Sequence, residues 1–289
     1  LFDSLGISRM EIQMFGLEWS QIIMTVGVLA SCGLLAGFFA GLLGIGGGII
    51  FVPVFFYVFM SVFHVSPDVA MVLATGTSLT CMIPTSITAA IAQYKRGNTN
   101  LNTIKVWAPG MLLGVLTGSL ISSFYGGKWL AILFGSIMIL NALNTFFRAK
   151  AKPMLDHMPN NFIQRIIAFC ISFLSVMLGV GGGTLTVPVL NACGEEPHRS
   201  IGTSSAVSLF VAVPGAIVLF LTGSTPDNAP MFTIGYVSLL AAACVIPLSV
   251  LTAPFGVSIG KKISPVTLKR IFAVAMFIVS VRMIVTGIS

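Results

Sequence analysis

Long apolar runs separated by short polar breaks dominate the chain. Most runs are roughly 18 to 25 residues long and lack the alternation that a strand of a membrane β-barrel requires. We predict ten apolar segments, at residues 21–43, 49–63, 69–93, 106–124, 129–147, 162–179, 184–193, 200–222, 234–257 and 265–287. Helices of this length span a bilayer. The pattern therefore predicts an all-α fold, a polytopic bundle of transmembrane helices.

Two of these segments, 49–63 and 184–193, are short. Ten helical residues cover only about 15 Å, which is half of a hydrocarbon core of about 30 Å. We therefore predict broken or half-helices at these two places, each directly after a run of glycines.

The chain repeats itself at an offset of 135 residues. The repeated elements are GIGGG at 44–48 with VPV at 52–54, matched by GVGGG at 179–183 with VPV at 187–189. A Gly-Thr-Ser element at 76–78 is matched at 202–204, at the shorter offset of 126 residues. We interpret this as a tandem duplication, with repeat 1 at 21–149, a linker at 150–161 and repeat 2 at 162–289.

Each repeat holds an odd number of segments, so the second repeat enters the membrane from the opposite side and the two repeats are inverted. Sorting the loops alternately places 12 of the 15 Lys and Arg residues on one side. The positive-inside rule makes that side cytoplasmic. Residues 148–161 are then cytoplasmic and both termini lie outside, with residues 1–20 as an N-terminal interfacial segment.

Composition supports a membrane protein. Only 8% of residues are charged and the mean hydropathy is +1.02, which excludes a water-soluble enzyme. The net charge of +7 lies in loops, so the partner we expect is the lipid bilayer and not nucleic acid. Five scattered cysteines and three separated histidines form no ligand pattern, and we predict no metal and no cofactor.

The glycine breaks are the best candidates for chemistry, because matching interrupted helices in two repeats point to a transporter site. A helix that restarts after glycines directs free N–H groups and a partial positive charge at the break. Two such starts would bind an anion. The candidate substrate-binding residues are Gly46, Gly47, Gly48, Gly181, Gly182 and Gly183. Close helix packing is the alternative reason for the glycines.

Hydroxyl groups near these breaks are candidate donors to an oxyanion. They belong to Thr77, Ser78, Thr203, Ser204 and Ser205, for which interhelical hydrogen bonding is the alternative role. Pro53 and Pro188 follow the glycines by five residues and are candidate hinges or kinks, with structural punctuation as the simpler interpretation.

Acidic residues are absent from the apolar segments, so a proton relay through the membrane is not evident. The inside-negative potential favours anion exit by about 2.3 kcal/mol per charge per 100 mV. We therefore predict a secondary transporter that exports an anion by alternating access around a site at the membrane midplane. A passive anion channel and a coupled uptake permease remain alternatives, whereas an enzyme is disfavoured because titratable side chains are missing from the candidate site.

The motifs GLLGIGGGIIFVPV and LGVGGGTLTVPVL, each followed by a Gly-Thr-Ser element, resemble the TauE/SafE family of sulfite exporters and sulfonate permeases. The resemblance covers about residues 25–289. It implies a multi-pass carrier of the bacterial inner membrane for small sulfur-containing anions such as sulfite, sulfoacetate or other organosulfonates. Because the family includes exporters and permeases for sulfonate, sulfate or thiosulfate, the resemblance leaves the direction open.

Overall fold

The computed structural model describes residues 19–124, 127–147, 153–155, 157–223, 225, 229–260 and 265–288. Within them the chain forms ten helices and a small hairpin, which confirms the all-α fold. The elements are α1 (Trp19–Leu43), α2 (Gly48–Ser61), α3 (Pro67–Tyr94), α4 (Leu101–Phe124), α5 (Gly127–Phe147), α6 (Asn161–Leu178), α7 (Gly183–Ala192), α8 (Pro197–Thr222), β1 (Thr233–Ile234), β2 (Val237–Ser238), α9 (Leu239–Ile259) and α10 (Pro265–Ile288).

Seven helices in the described residues are long and apolar enough to cross a membrane. The helices α2 and α7 have only 14 and 10 residues, and each begins at the last glycine of its motif. Large apolar side chains such as Ile23, Leu140 and Leu251 are exposed on the outside of the bundle. A surface of this kind is suited to lipid.

The first residues of two helices differ from those predicted by the apolar runs. Helix α4 starts at Leu101 because the Asn100 side chain accepts a hydrogen bond from the N–H of Thr103 at 3.3 Å, a cap among polar residues. Helix α9 starts at Leu239 and not near 234, because β1 and β2 pair there as an antiparallel hairpin. The proposed interfacial segment lies almost wholly outside the described residues, as does part of the linker.

The two halves interlock. The first helix of each half packs along the fourth helix of the other, so that α1 contacts α9 and α4 contacts α6. Both contacts are close because glycines on one partner meet backbone on the other; a Cβ at Gly37 or Gly114 would overlap a carbonyl of the facing helix. The glycine rows are Gly33, Gly37 and Gly41 in α1, and Gly110, Gly114 and Gly118 in α4. Such spacing of small residues lets membrane helices approach closely.

The third helices of the two halves, α3 and α8, pack against each other and also hold the short helices α2 and α7. Three aromatic rings of α2, Phe51, Phe55 and Phe59, are fully buried and stack with centroids 6.0 Å apart. This arrangement fixes the glycine motifs at the ends of α2 and α7 in the interior.

Candidate functional site

The two glycine motifs lie against each other inside the bundle. A Cβ at Gly48, the first residue of α2, would lie 2.5 Å from the carbonyl oxygen of Gly179. The matching residue Gly183, the first of α7, faces the carbonyl of Gly44 in the same way, and a Cβ there would overlap it. The start of each short helix is therefore in direct contact with the first glycine of the other motif.

The backbone of the two turns is alike. The residue before each short helix is in the left-handed region, with φ of 86° at Gly47 and 80° at Gly182. A side chain in this conformation costs about 1 to 2 kcal/mol. Neither helix start has a side-chain cap. The glycines thus determine the conformation and leave the amides at the helix starts uncovered.

Several of these amides lack an acceptor. Within the described part of the chain, the N–H groups of residues 46–48 and of Gly181 and Gly182 donate no hydrogen bond, whereas the N–H of Gly183 donates to Gly181 at 3.0 Å. The first turn of a helix leaves such groups unsatisfied and carries partial positive charge. Buried amides of this kind can bind an anion.

The serines of the Gly-Thr-Ser elements connect the two halves. Ser78 Oγ in α3 donates to the carbonyl of Gly179 at 2.8 Å, and Ser204 Oγ in α8 donates to the carbonyl of Gly44 at 2.8 Å. Each serine therefore holds the first glycine of the other half's motif.

The threonines make an equally reciprocal pair of contacts. Thr77 accepts a hydrogen bond from the N–H of Ser238 at 3.0 Å, and Thr203 accepts one from the N–H of Asn100 at 2.9 Å. Both donors directly precede a fourth helix, α9 or α4. The hydroxyl hydrogens of both threonines are still available to donate. Ser205 donates within α8.

The side chain of Met82 fills the space between the two turns. It is fully buried in α3, and a Cβ at Gly46 or at Gly181 would overlap its terminal methyl group. Its sulfur lies 3.0 Å from the position of a Cβ at Gly48. The matching position of α8, six residues after the glycine of its Gly-Thr-Ser element, holds Ser208. The contact between the turns is thus occupied by protein in this conformation.

The second turn is the more polar one. The hydroxyls of Thr184 and Thr186 in α7 are buried and have no hydrogen-bond partner within the described residues. The matching residues of α2 are Ile49 and Phe51, and the Phe51 ring lies 2.9 Å from the position of a Cβ at Gly47. One turn is therefore closed by an aromatic ring and the other carries free hydroxyls.

Both candidate hinge prolines lie inside the short helices. Because Pro188 has no N–H, the carbonyl of Thr184 four residues earlier has no donor in its own helix. The Asn141 side chain of α5 donates to that carbonyl at 3.1 Å. Pro53 occupies the same place in α2. The prolines thus leave a carbonyl without its donor in the helix. That they act as hinges stays a prediction.

A cavity of about 590 Å³ lies beside the turns, between α1, α2 and α10. Pro53 and Tyr57 form part of its wall together with Arg282, whose guanidinium carbon lies 5.7 Å from the centre of the Tyr57 ring. The glycine turns themselves are not part of this wall. The wall of the cavity is mostly apolar.

The interior around the turns is electrically neutral. Every buried polar side chain in the described residues belongs to Ser, Thr, Asn or Gln. Fixed charges lie at helix ends, as in the ion pair between Arg199 and Glu195 at 3.5 Å. Any charge on a bound solute would therefore be balanced by amide and hydroxyl dipoles.

Sequence reasoning missed Met82, Ser208, Thr184 and Thr186. The signal was present, because superposing the two Gly-Thr-Ser elements pairs Met82 with Ser208, and superposing the glycine motifs pairs the two threonines with apolar residues. These pairs are the places where the duplicated halves differ in polarity.

The seven long apolar helices and their arrangement define a multi-pass helical membrane protein. The sequence profile of the family described as "Sulfite exporter TauE/SafE" matches residues 29–283, and the chain belongs to this family. Its membership makes the chain a membrane transporter.

Curated relatives carry names of the same kind. A "Probable membrane transporter protein" of Haemophilus influenzae is 28% identical over 87% of this chain and 95% of its own length. The "Probable membrane transporter protein YunE" of Bacillus subtilis is 26% identical over 92% of this chain and 99% of its own. A similarly named protein of Methanocaldococcus jannaschii is 28% identical over 85% of this chain and 90% of its own. No solved structure matches the chain.

Proposed function

We propose that the protein is a secondary carrier that moves small sulfur-containing anions, sulfite or organosulfonates such as sulfoacetate, by alternating access around the two glycine turns. The observation that carries this proposal is the contact between two buried glycine turns, most of whose amides have no acceptor within the described residues. The family description, "Sulfite exporter TauE/SafE", supports the choice of anion.

The proposed ligands are the backbone amides of residues 46–48, Gly181 and Gly182, whereas Gly183, whose N–H donates to Gly181, borders the site. Each helix start contributes roughly half a positive charge, which suits the oxygens of a sulfite or sulfonate group. The hydroxyls of the Gly-Thr-Ser elements complete the site, by donating to substrate or by holding the turns in place. A site without a fixed cation also releases its anion readily, which a carrier needs as much as it needs binding.

Inverted repeats explain how one site serves two sides. Ser78 and Ser204 exchange equivalent contacts between the halves, as do Thr77 and Thr203. If the halves are related by a two-fold axis in the membrane plane, exchanging their conformations turns an inward-open carrier into an outward-open one. Pro53 and Pro188 are the proposed hinges.

Export across the bacterial inner membrane is the proposed direction, with residues 148–161 in the cytoplasm and both termini outside. The buried polar residues described here are all uncharged, so the site offers no carboxylate for proton coupling. The membrane potential alone drives an anion outward by about 2.3 kcal/mol per charge per 100 mV.

Replacing Gly47 or Gly182 by Val tests the site. Either variant forces a β-branched side chain into a left-handed backbone and crowds the turn, with a Cβ 2.9 Å from Phe51 or 3.0 Å from Val211. We expect transport of sulfite and sulfoacetate into proteoliposomes to fall below a hundredth of the wild-type rate, because a turn displaced by about 1 Å no longer presents its amides.

Gly27→Val is the matched control, because Gly27 has open space around it in α1 and its variant should transport normally. Membrane insertion should be unchanged in all three variants. Full transport by Gly47→Val or Gly182→Val would refute the site. Acceleration of efflux by substrate on the opposite side would support a carrier, and its absence would favour a channel.

A further inference from the structure

The space between the two glycine turns is filled by one side chain. Met82 contacts Gly46, Gly48 and Gly181, and therefore touches both glycine motifs at once. It reaches this position from α3, the helix whose Ser78 holds the second motif. No other described side chain has its end this close to both Gly46 and Gly181.

The duplicated half does not repeat this feature. At the position of Met82, α8 has Ser208, whose short side chain donates to Ser204 in its own helix at 3.0 Å. Ser208 Oγ lies 3.1 Å from the position of a Cβ at Gly46, and thus borders the same space. The first half therefore places a long apolar side chain, Met82, in this space, and the second half borders it with a short polar one, Ser208.

Methionine is suited to a position that is emptied and refilled. It is unbranched, has three side-chain torsions, and adapts to irregular spaces. Its terminal methyl group faces glycines of both motifs, which present no side chain of their own. The methyl group also lies against Gly46 and Gly181, two of the residues whose amides have no acceptor within the described residues.

We propose that Met82 is the gate of the anion site: its thioether occupies the space between the two glycine turns in the unloaded carrier, and substrate binds when this side chain swings away. This inference rests on the proposed function. It makes Met82 a determinant of affinity that acts by competing with the substrate, without contributing a hydrogen bond to it.

Met82→Ala tests the gate in the purified full-length protein. Removing the competing side chain should destabilise the unloaded protein and strengthen anion binding at the same time. A buried methionine contributes enough to packing that apparent affinity should rise about tenfold or more. The measurement is the rise in thermal unfolding midpoint with increasing sulfite, and separately with sulfoacetate.

Met71→Ala is the matched control, because Met71 is an equally buried methionine of α3 that packs beside Gly127 of α5. It should lower the unfolding midpoint of the unloaded protein in a similar way and leave the apparent affinity unchanged. Met82→Leu keeps the apolar volume and should fold in any case. Its branched end reaches less far between the turns, so affinity should rise by a smaller factor.

Three results have distinct meanings. Tighter binding in both Met82 variants but not in Met71→Ala supports the gate. Equal affinity in wild type and both Met82 variants overturns the gate and leaves the proposed function standing. If neither anion stabilises wild type or any Met82 variant, both the proposed function and the gate for these anions are wrong.

Discussion

The two glycine turns share a backbone and differ in their side chains. Both end in a left-handed glycine, both start a short helix, and both have a serine of the other half bound to their first carbonyl. The first turn is followed by Ile49 and Phe51, and the second by Thr184 and Thr186. Backbone geometry is therefore the common property of the halves, whereas polarity is specific to one.

This difference separates the features that the two halves share from those that only one half has. Amides, glycine contacts and the serine bridges come in pairs, so they are fitted to two equivalent conformations. The unpartnered threonine hydroxyls and Met82 do not come in pairs. A substrate bound between the turns would thus meet similar amides on both sides, and the extra hydroxyls of Thr184 and Thr186 on one side alone.

The largest expected effect tests the shared backbone contact. Gly48→Ala and Gly183→Ala each place a methyl group against the backbone of the other motif, at 2.5 Å from Gly179 O in the first case. Because neither side can yield, we expect each variant to lose about 3 kcal/mol of stability, seen as a lower thermal unfolding midpoint in detergent.

Gly27→Ala, in a helix with open space around the site, should be neutral or slightly stabilising. A large loss of stability for Gly48→Ala with none for Gly183→Ala would show that the two backbone contacts are not equivalent.

The serine bridges provide a test of intermediate size. Ser78→Ala and Ser204→Ala each leave a buried glycine carbonyl without its donor, which costs about 1 to 3 kcal/mol. We expect the two unfolding midpoints to fall by similar amounts. Ser280→Ala is a suitable control, because this buried hydroxyl of α10 donates only within its own helix. Losses that differ severalfold between Ser78→Ala and Ser204→Ala would contradict the equivalence.

The smallest effect tests the difference between the turns. Thr186→Val keeps the size of the side chain and removes a hydroxyl that has no partner within the described residues. If that hydroxyl is free for an oxyanion, affinity for sulfite or sulfoacetate should fall about fivefold to tenfold, with the folded protein as stable as before.

Ser122→Ala removes another buried, unpartnered hydroxyl, in α4, and should not alter affinity. Equal affinity in wild type and Thr186→Val would mean that the polarity of the second turn does not serve binding, and that the turns are functionally alike.

Hydrophobic pattern was sufficient to predict the helices and their approximate bounds, because membrane-spanning segments are long and uniformly apolar. It failed at 234–238, where Ser238 and a hairpin delay the start of α9. The short helices after the glycine motifs were also predicted, since glycine runs and helix length are visible in the sequence.

The contacts made by the candidate residues were not predictable. Ser78 and Gly179 are separated by 101 positions, and only the packing of α3 against the second half brings them together. In the sequence, Met82 does not differ from the other apolar residues of its segment. Its role depends on the distance from one methyl group to two glycines of different halves, which no local pattern specifies.

The exchange of helices between the halves also bears on how the protein is made. During synthesis α1 emerges well before α9, and its glycine row has no permanent partner until α9 has left the ribosome. For most of translation this face of the nascent chain is exposed to lipid or held by an insertion factor. The synthesis of α9, late in the second half, is therefore the event that completes the packing of a helix made at the start of the first half.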